Sequence, residues 1–175
     1  GRINLRLTPY QEIAPATNQF LEARLSGWRY LRLADATVLA LRGQVGSIAG
    51  AETEDVPADV RFFAGGGGSI RGYPYQEVGP RRDSDPFGGR SLVECSVELR
   101  HQFTERFGSA VFLDGGNVYD DPVPDFDPSL RWGAGAGLRY YTAVGPLRLD
   151  LAFPLNKDPD HHDDFQVYVS LGQAF

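Results

Sequence analysis

The sequence has few of the residues that catalysis, disulfide bonding or nucleic-acid binding would use. It contains no methionine, one cysteine and three histidines among 175 residues. The lone Cys95 excludes an intrachain disulfide and is typical of a small apolar residue in a strand. The net charge of −6 argues against the basic stripe of a nucleic-acid binder. With neither an initiator methionine nor a leader at Gly1, the chain is expected to be processed or excised from a longer one.

Long apolar runs and catalytic motifs are also missing. No stretch approaches 18 consecutive apolar residues, which excludes a transmembrane helix. There is no nucleophile elbow, P-loop or C-x-x-C motif. Glu98 and Asp114 could form an acid/base pair, but no nucleophile or histidine accompanies them in the sequence. The histidines His161 and His162 are typical of a solvated loop tip rather than a metal centre. We therefore predict no enzyme, no metal and no cofactor.

What the sequence does contain is repeated alternation of apolar and polar residues, with no helical periodicity. In one segment Val93, Cys95 and Val97 alternate with Glu94, Ser96 and Glu98. Such a period of two is typical of strands with one apolar face. The same pattern, at varying strength, predicts eight strands, at 2–10, 20–32, 37–48, 91–103, 109–119, 131–141, 147–153 and 165–175.

The connections between these strands alternate between long and short. Short turns are predicted at 34–36, 104–107 and 143–146. Long loops are predicted at 11–18, 49–90, 120–129 and 156–164. Short turns on the periplasmic side and long loops on the extracellular side are typical of outer-membrane barrels.

A soluble antiparallel barrel or sandwich would alternate as well, so two further features bear on the choice. The strands are about 9–12 residues long, which suits a tilted bilayer crossing. Aromatic residues fall toward strand ends, as in an interfacial belt: Tyr10, Trp28, Tyr30, Tyr119, Trp132, Tyr140, Tyr141 and Phe175. We predict an all-β, transmembrane, antiparallel up-and-down β-barrel. It forms one domain over residues 1–175, contacts lipid and lies in the bacterial outer membrane.

The long loop carries the most specific motif. Its glycine run at 65–68 could be a flexible linker, but it leads directly into Ser69-Ile70-Arg71-Gly72-Tyr73. This segment resembles the [V/I]-R-G-[F/Y] motif of the BamA/TamA superfamily of outer-membrane assembly and translocation barrels. Segments 112–118, 145–155 and 165–175 resemble later strands of that family. The resemblance is strong over 60–175, rests on strand pattern over 1–60, and looks closest to the TamA type.

The resemblance implies a role for the motif. In the family this loop folds into the barrel lumen, and its arginine contacts acidic residues of two strands. Carried over by position, Arg71 pairs with Glu98 and Asp114, Gly72 permits a close turn, and Tyr73 packs under the loop. A buried arginine needs such carboxylate partners, because its desolvation is otherwise uncompensated. The alternative is an ordinary extracellular loop with a solvated arginine.

The resemblance also implies a role for the last strand. In the family the seam between first and last strands is weak, and the last strand carries a β-signal read by the assembly machinery. The matching residues here are Phe165, Tyr168, Leu171, Gly172 and Phe175. The alternative is that Phe175 only anchors the strand in the membrane interface.

The loop also bears on the size of the barrel. Eight strands can close, but side chains then fill the interior. The inward-facing Gly133, Gly135 and Gly137 make some room, but not enough for a loop of about 40 residues. The family barrel has sixteen strands, so this chain is expected to form half of that wall, either as a fragment or as one partner in a homodimer.

The resemblance implies assembly, insertion or translocation of client outer-membrane proteins, together with a possible inner-membrane-anchored periplasmic partner. A two-partner-type secretion pore and the membrane-anchoring barrel of a surface protein are the alternatives.

Overall fold

A computed structural model describes residues 1–11, 19–156 and 163–172 of the chain. Its eight long strands are β1 Arg2–Gln11, β2 Gln19–Ala34, β3 Thr37–Ala49, β6 Ser91–Gln102, β7 Phe107–Tyr119, β8 Arg131–Thr142, β9 Gly145–Pro154 and β10 Gln166–Leu171. Two short strands, β4 Arg81–Arg82 and β5 Asp85–Pro86, pair within the loop between β3 and β6, and Thr53–Asp55 forms a 3₁₀ turn there. Within the described ranges, no helix is long and apolar enough to cross a membrane.

The eight long strands form one antiparallel sheet in the order β1-β2-β3-β6-β7-β8-β9-β10. Each strand therefore lies beside its neighbour in the chain, apart from the short pair in the loop. This confirms the predicted fold class of an up-and-down antiparallel sheet. Among the described residues, β1 and β10 each pair with a single neighbour, so the sheet has two open edges.

Within the described residues, the bounds of the last strand differ from the prediction. β10 begins after Phe165 and ends at Leu171. It ends there because Gly172 has φ +98°, which leaves the extended conformation and is favourable only for glycine. Phe175, together with His161 and His162, lies outside the described residues.

The two faces of the sheet have opposite chemistry, and the polar face is the buried one. In β6, Glu98 is fully buried, whereas Val97 is 43% exposed. In β9, Asp150 is fully buried, whereas Leu149 is 47% exposed. A soluble sheet would bury its aliphatic face, so the apolar outer face is suited to contact lipid.

The predicted aromatic belt is less regular than expected. Trp28 lies in the interior of β2, six residues before the strand ends at Ala34. Tyr119 does end its strand, but it is only 2% exposed and so does not face the lipid. These two residues were wrongly assigned to the belt.

The long loop, residues 50–90, packs on the inner face of the sheet. An apolar cluster joins the two: the loop supplies Val56, Phe62, Ala64, Ile70, Tyr73 and Val78, and the strands supply Phe20, Ile48, Leu92 and Val118. Phe62 and Gly89 exchange two backbone hydrogen bonds of 2.9 and 3.0 Å, which hold the two sides of the loop together. The hydrophobic core therefore lies between loop and sheet, on the inner side.

Candidate functional site

Arg71 is at the centre of the contacts between the loop and the sheet. Its guanidinium donates to both carboxylate oxygens of Asp114, through Nε at 2.7 Å and Nη2 at 3.0 Å. Its Nη1 donates to Glu98 Oε2 at 2.6 Å, and its backbone N–H also donates to Asp114 at 3.1 Å. Charge-assisted bidentate pairs of this kind are among the strongest hydrogen bonds in proteins. The structure thus brings together the three charged residues that the sequence singled out.

Two further groups complete the surroundings of Arg71. Asp150 on β9 places its Oδ2 3.5 Å from Arg71 Nη1. The ring of Phe112 on β7 lies 3.4 Å from the guanidinium carbon, a cation–π contact. Glu98 and Phe112 are directly paired across β6 and β7, so sheet register places a carboxylate and a ring side by side. Sequence reasoning missed both Asp150 and Phe112.

The three carboxylates share several arginines. Asp150 also accepts from Arg139 and from Arg148, the latter at 3.3 Å. Glu98 accepts from Arg100 Nε at 2.6 Å and lies 3.5 Å from Arg139 Nη2. In contrast, within the described part of the chain, Arg71 is the one arginine that contacts Asp114, and the other contact of Asp114 is the Ser96 hydroxyl at 2.6 Å. Asp114 is therefore the carboxylate that depends most on Arg71.

Arg71 remains charged in this setting. Burial acts to lower its pKa, but the hydrogen bonds and charges of Asp114 and Glu98 outweigh burial and raise the pKa above its ordinary value. A permanent cation that is 2% exposed would be costly without these partners. The arginine and the loop conformation that carries it thus depend on the inner-face carboxylates.

The two residues after Arg71 fit closely against the sheet. Gly72 has φ +102°, and a Cβ there would lie 2.9 Å from the Phe153 carbonyl carbon, so only glycine fits without strain. Tyr73 is fully buried. Its hydroxyl lies 3.1 Å from the Trp132 carbonyl oxygen and 3.0 Å from Asn156 Oδ1, both of which can accept its proton. Burial raises the pKa of Tyr73, so the hydroxyl stays protonated.

A second set of contacts, absent from the sequence prediction, holds the start of the motif. Arg42 on β3 donates to the carbonyl oxygens of Gly68 at 2.7 Å and Ser69 at 2.9 Å. The Ser69 hydroxyl bonds to Glu94 on β6, and Arg42 Nη2 lies 3.6 Å from the same carboxylate. Both charged residues lie on the polar phase of their strands, which was the available signal for them.

The glycines of β8 make this close approach possible. A Cβ on Gly133 would lie 1.8 Å from the Arg71 carbonyl oxygen. A Cβ on Gly137 would lie 1.8 Å from Asp150 Oδ1. Both distances are far below contact, so a side chain at either position would displace the loop or the carboxylate.

The residues of the predicted β-signal do not gather in one place. Tyr168 points inward to the loop, where its Oη accepts from the Gly72 N–H at 3.1 Å. Leu171 and Phe165 are 59% and 53% exposed, and Phe165 lies beside Phe153. The Gly172 N–H donates to the Pro146 carbonyl at 2.8 Å, which continues the pairing one residue beyond β10.

Comparison with known proteins assigns the chain to a family. The Omp85 superfamily domain matches residues 2–175. Outer membrane protein assembly factor BamA of Nitratidesulfovibrio vulgaris is 31% identical over 166 residues, covering 90% of this chain and 21% of that protein. The Neisseria meningitidis serogroup B protein of the same name is 26% identical over 195 residues, covering 90% and 24%. The chain thus spans about a fifth to a quarter of the length of these relatives.

A solved structure has the same fold. The crystal structure of BamA from Haemophilus ducreyi lacking POTRA domains 1–3 matches with a TM-score of 0.70 and 25% identity, over 88% of this chain and 35% of that one. These relatives are all named BamA, so the resemblance to the TamA type stays a prediction. The chain is part of a transmembrane β-barrel of the bacterial outer membrane, and it belongs to the Omp85 superfamily.

Proposed function

We propose that this chain is the C-terminal part of the barrel of a factor that assembles or inserts outer-membrane proteins. Its clients would be other outer-membrane β-proteins, and it would act without covalent chemistry, metal or cofactor. The names of the two relatives and the fold match support this assignment. The observation that carries it is the set of buried ion pairs that Arg71 makes with Asp114, Glu98 and Asp150.

These ion pairs are better suited to fix the position of the loop than to raise the stability of the barrel. A buried ion network often contributes little net stability compared with apolar packing, but it penalises alternative arrangements strongly. In this proposal Arg71 locks residues 50–90 in one position on the inner face. Gly72 and Tyr73 set the depth of the loop by their fit against β8 and β9. The position of the loop then controls the space available inside the barrel.

The open edge of the sheet would supply the working surface. β10 has six residues and pairs only with β9 among the described residues. A free strand edge offers backbone donors and acceptors to another strand, which is how β-augmentation recognises extended chains. We propose that Phe165, Leu171, Gly172 and the terminal Phe175 act as the β-signal of this strand. Tyr168 belongs to the same strand but faces the loop.

The size of the complete wall is part of the proposal. The match covers 35% of the relative of known structure, which supports a larger barrel than these eight strands. We propose that the chain forms the C-terminal half of a sixteen-stranded wall. A homodimer that completes such a wall, and a periplasmic partner anchored in the inner membrane, remain predictions. The mass of the protein in mild detergent separates the half-wall from a closed single-copy barrel.

Insertion of a client β-barrel into liposomes by the full-length protein tests the function. Arg71→Ala should slow insertion several-fold, because the loop loses its central contact. Arg82→Ala is the matched control, since Arg82 lies in the same loop but is largely exposed and pairs with Glu54 at the surface.

Three results would count against this function. If a folded Arg71→Ala barrel inserted clients as fast as the wild type, the loop contact of Arg71 would have no role in insertion. Large single-channel openings with no insertion would favour the two-partner-type secretion pore. A barrel that neither inserts clients nor conducts would favour a membrane anchor for a surface protein.

A further inference from the structure

Tyr168 joins the terminal strand to the loop through one hydroxyl group. The hydroxyl accepts from the Gly72 N–H at 3.1 Å and donates to the Tyr73 carbonyl oxygen at 2.8 Å. Its ring lies against the glycine run, since a Cβ on Gly67 would be 3.0 Å from Tyr168 Cδ1. The contact therefore involves the backbone on both sides of the peptide bond that follows Gly72.

This contact is unlike the other contacts of the loop with the sheet. Arg71 and Tyr73 bind to residues of β6, β7, β8 and β9, each of which is paired on both sides, and Tyr73 also contacts Asn156 just after β9. β10 is an edge strand with one neighbour. Among the described residues, no other side chain of β10 hydrogen-bonds to residues 50–90. The Ser170 hydroxyl, on the same face, has no hydrogen-bond partner in the described structure.

We propose that Tyr168 is a positioning residue that couples the place of the loop to the place of the terminal strand. The proposal deepens the function proposed above and rests on it. When the loop is bound to the inner face of the sheet, Tyr168 holds β10 close to that face. When β10 moves outward, the loop loses its two hydrogen bonds with the Tyr168 hydroxyl. Such coupling is reciprocal, because both motions break the same contacts. A client strand that captures the edge would thereby loosen the loop.

The position of β10 can be measured by a distance between spin labels in the full-length protein in liposomes. Labels on Val97→Cys and Val169→Cys report across four strand spacings from the outer face, with the native Cys95 replaced by alanine. Tyr168→Phe removes the hydroxyl and keeps the ring. We expect the population with a displaced β10 to rise roughly tenfold, as loss of two hydrogen bonds implies. Ser170→Ala, the matched control, should leave the distances unchanged.

A second comparison separates coupling from simple loss of packing. Arg71→Lys weakens the attachment of the loop to Asp114, which lies away from β10, because lysine cannot make the bidentate pair. It should displace β10 when Tyr168 is present and have little further effect in the Tyr168→Phe background. Equal effects in both backgrounds, or wild-type distances in Tyr168→Phe, would overturn the coupling.

Glycine variants test the same contact if Tyr168→Phe does not fold. Gly67→Ala crowds the Tyr168 ring, whereas Gly68→Ala meets no atom within 4 Å. Displacement of β10 by the first variant and not the second supports the proposal; the same behaviour in both contradicts it. These distances do not depend on client insertion, so failure of the proposed function would appear separately, as a wild-type protein that inserts no client.

Discussion

Arg71→Ala should destabilise the barrel chiefly by leaving Asp114 buried without a positive partner. Removal of one member of a buried ion pair costs about 3–5 kcal/mol. The three carboxylates do not share this cost equally. Glu98 keeps Arg100 and Asp150 keeps two other arginines. Among the described residues, Asp114 keeps two neutral donors, the Ser96 hydroxyl and the backbone N–H of residue 71, and no positive charge.

A second substitution should therefore rescue the first selectively. Asp114→Asn in the Arg71→Ala background removes the orphaned charge and should recover about 1–3 kcal/mol, the cost of an unsatisfied buried group. Rescue is incomplete, because the cation–π contact with Phe112 is also lost. Asp150→Asn in the same background should recover nothing, since it instead leaves Arg139 and Arg148 without a carboxylate they both contact.

Urea unfolding of the reconstituted barrel, followed by gel mobility without heating, measures these differences. The comparison is between Arg71→Ala alone and each of the two double variants. If Asp114→Asn and Asp150→Asn rescue equally, or if the effects of Arg71→Ala and Asp114→Asn simply add, the assignment of the cost to Asp114 is refuted.

Three further perturbations test other parts of the structure. Gly133→Ala places a Cβ against the Arg71 carbonyl and should cost about 1–3 kcal/mol of stability by overpacking, with Gly43→Ala, whose nearest contact is 4.0 Å, as the neutral control in urea unfolding. Arg42→Ala removes two hydrogen bonds to the loop and should speed proteolytic cleavage within residues 50–90; an unchanged cleavage rate would contradict the second anchor. Val97→Arg on the outer face should cost up to about 2–4 kcal/mol in bilayers, whereas Val97→Leu should be tolerated; equal stability of the two would argue against lipid contact at this position.

The candidate site could be predicted only where a single strand's pattern was sufficient. Alternation placed Glu98 and Asp114 on the polar phase, and the resemblance of the motif around Arg71 to a known family implied their partner. Asp150 carries the same polar phase in β9 but was not assigned to the arginine. The approach of Asp150 to Arg71 depends on the register between β8 and β9. That register pairs Asp150 with Gly137, which has no side chain to occupy the place of the carboxylate. A period of two reports the face of a residue and carries no information on which residues of other strands lie beside it.

The contacts of Tyr168 could not be predicted from the sequence pattern either. The resemblance assigned it to a β-signal together with Phe165 and Leu171, but alternation turns its side chain to the opposite face from Leu171. Its contact with the backbone of Gly72 and Tyr73 depends on where a loop about 100 residues earlier comes to rest. No local pattern encodes such a position, because it results from the packing of the loop's apolar side chains.

The order of apolar and polar residues was enough to predict eight strands and the two chemically different faces of each, because both depend on side chains at neighbouring positions of one strand. The tertiary structure decided that the polar face is the buried one. The tertiary structure decided which charges meet at Arg71, that Arg42 and Glu94 hold the motif from a second side, and that the terminal strand is joined to the loop. It also decided that the last strand ends at Leu171, where Gly172 turns the backbone. These features depend on register between strands and on the seating of residues 50–90, which are set by contacts between segments far apart in the chain.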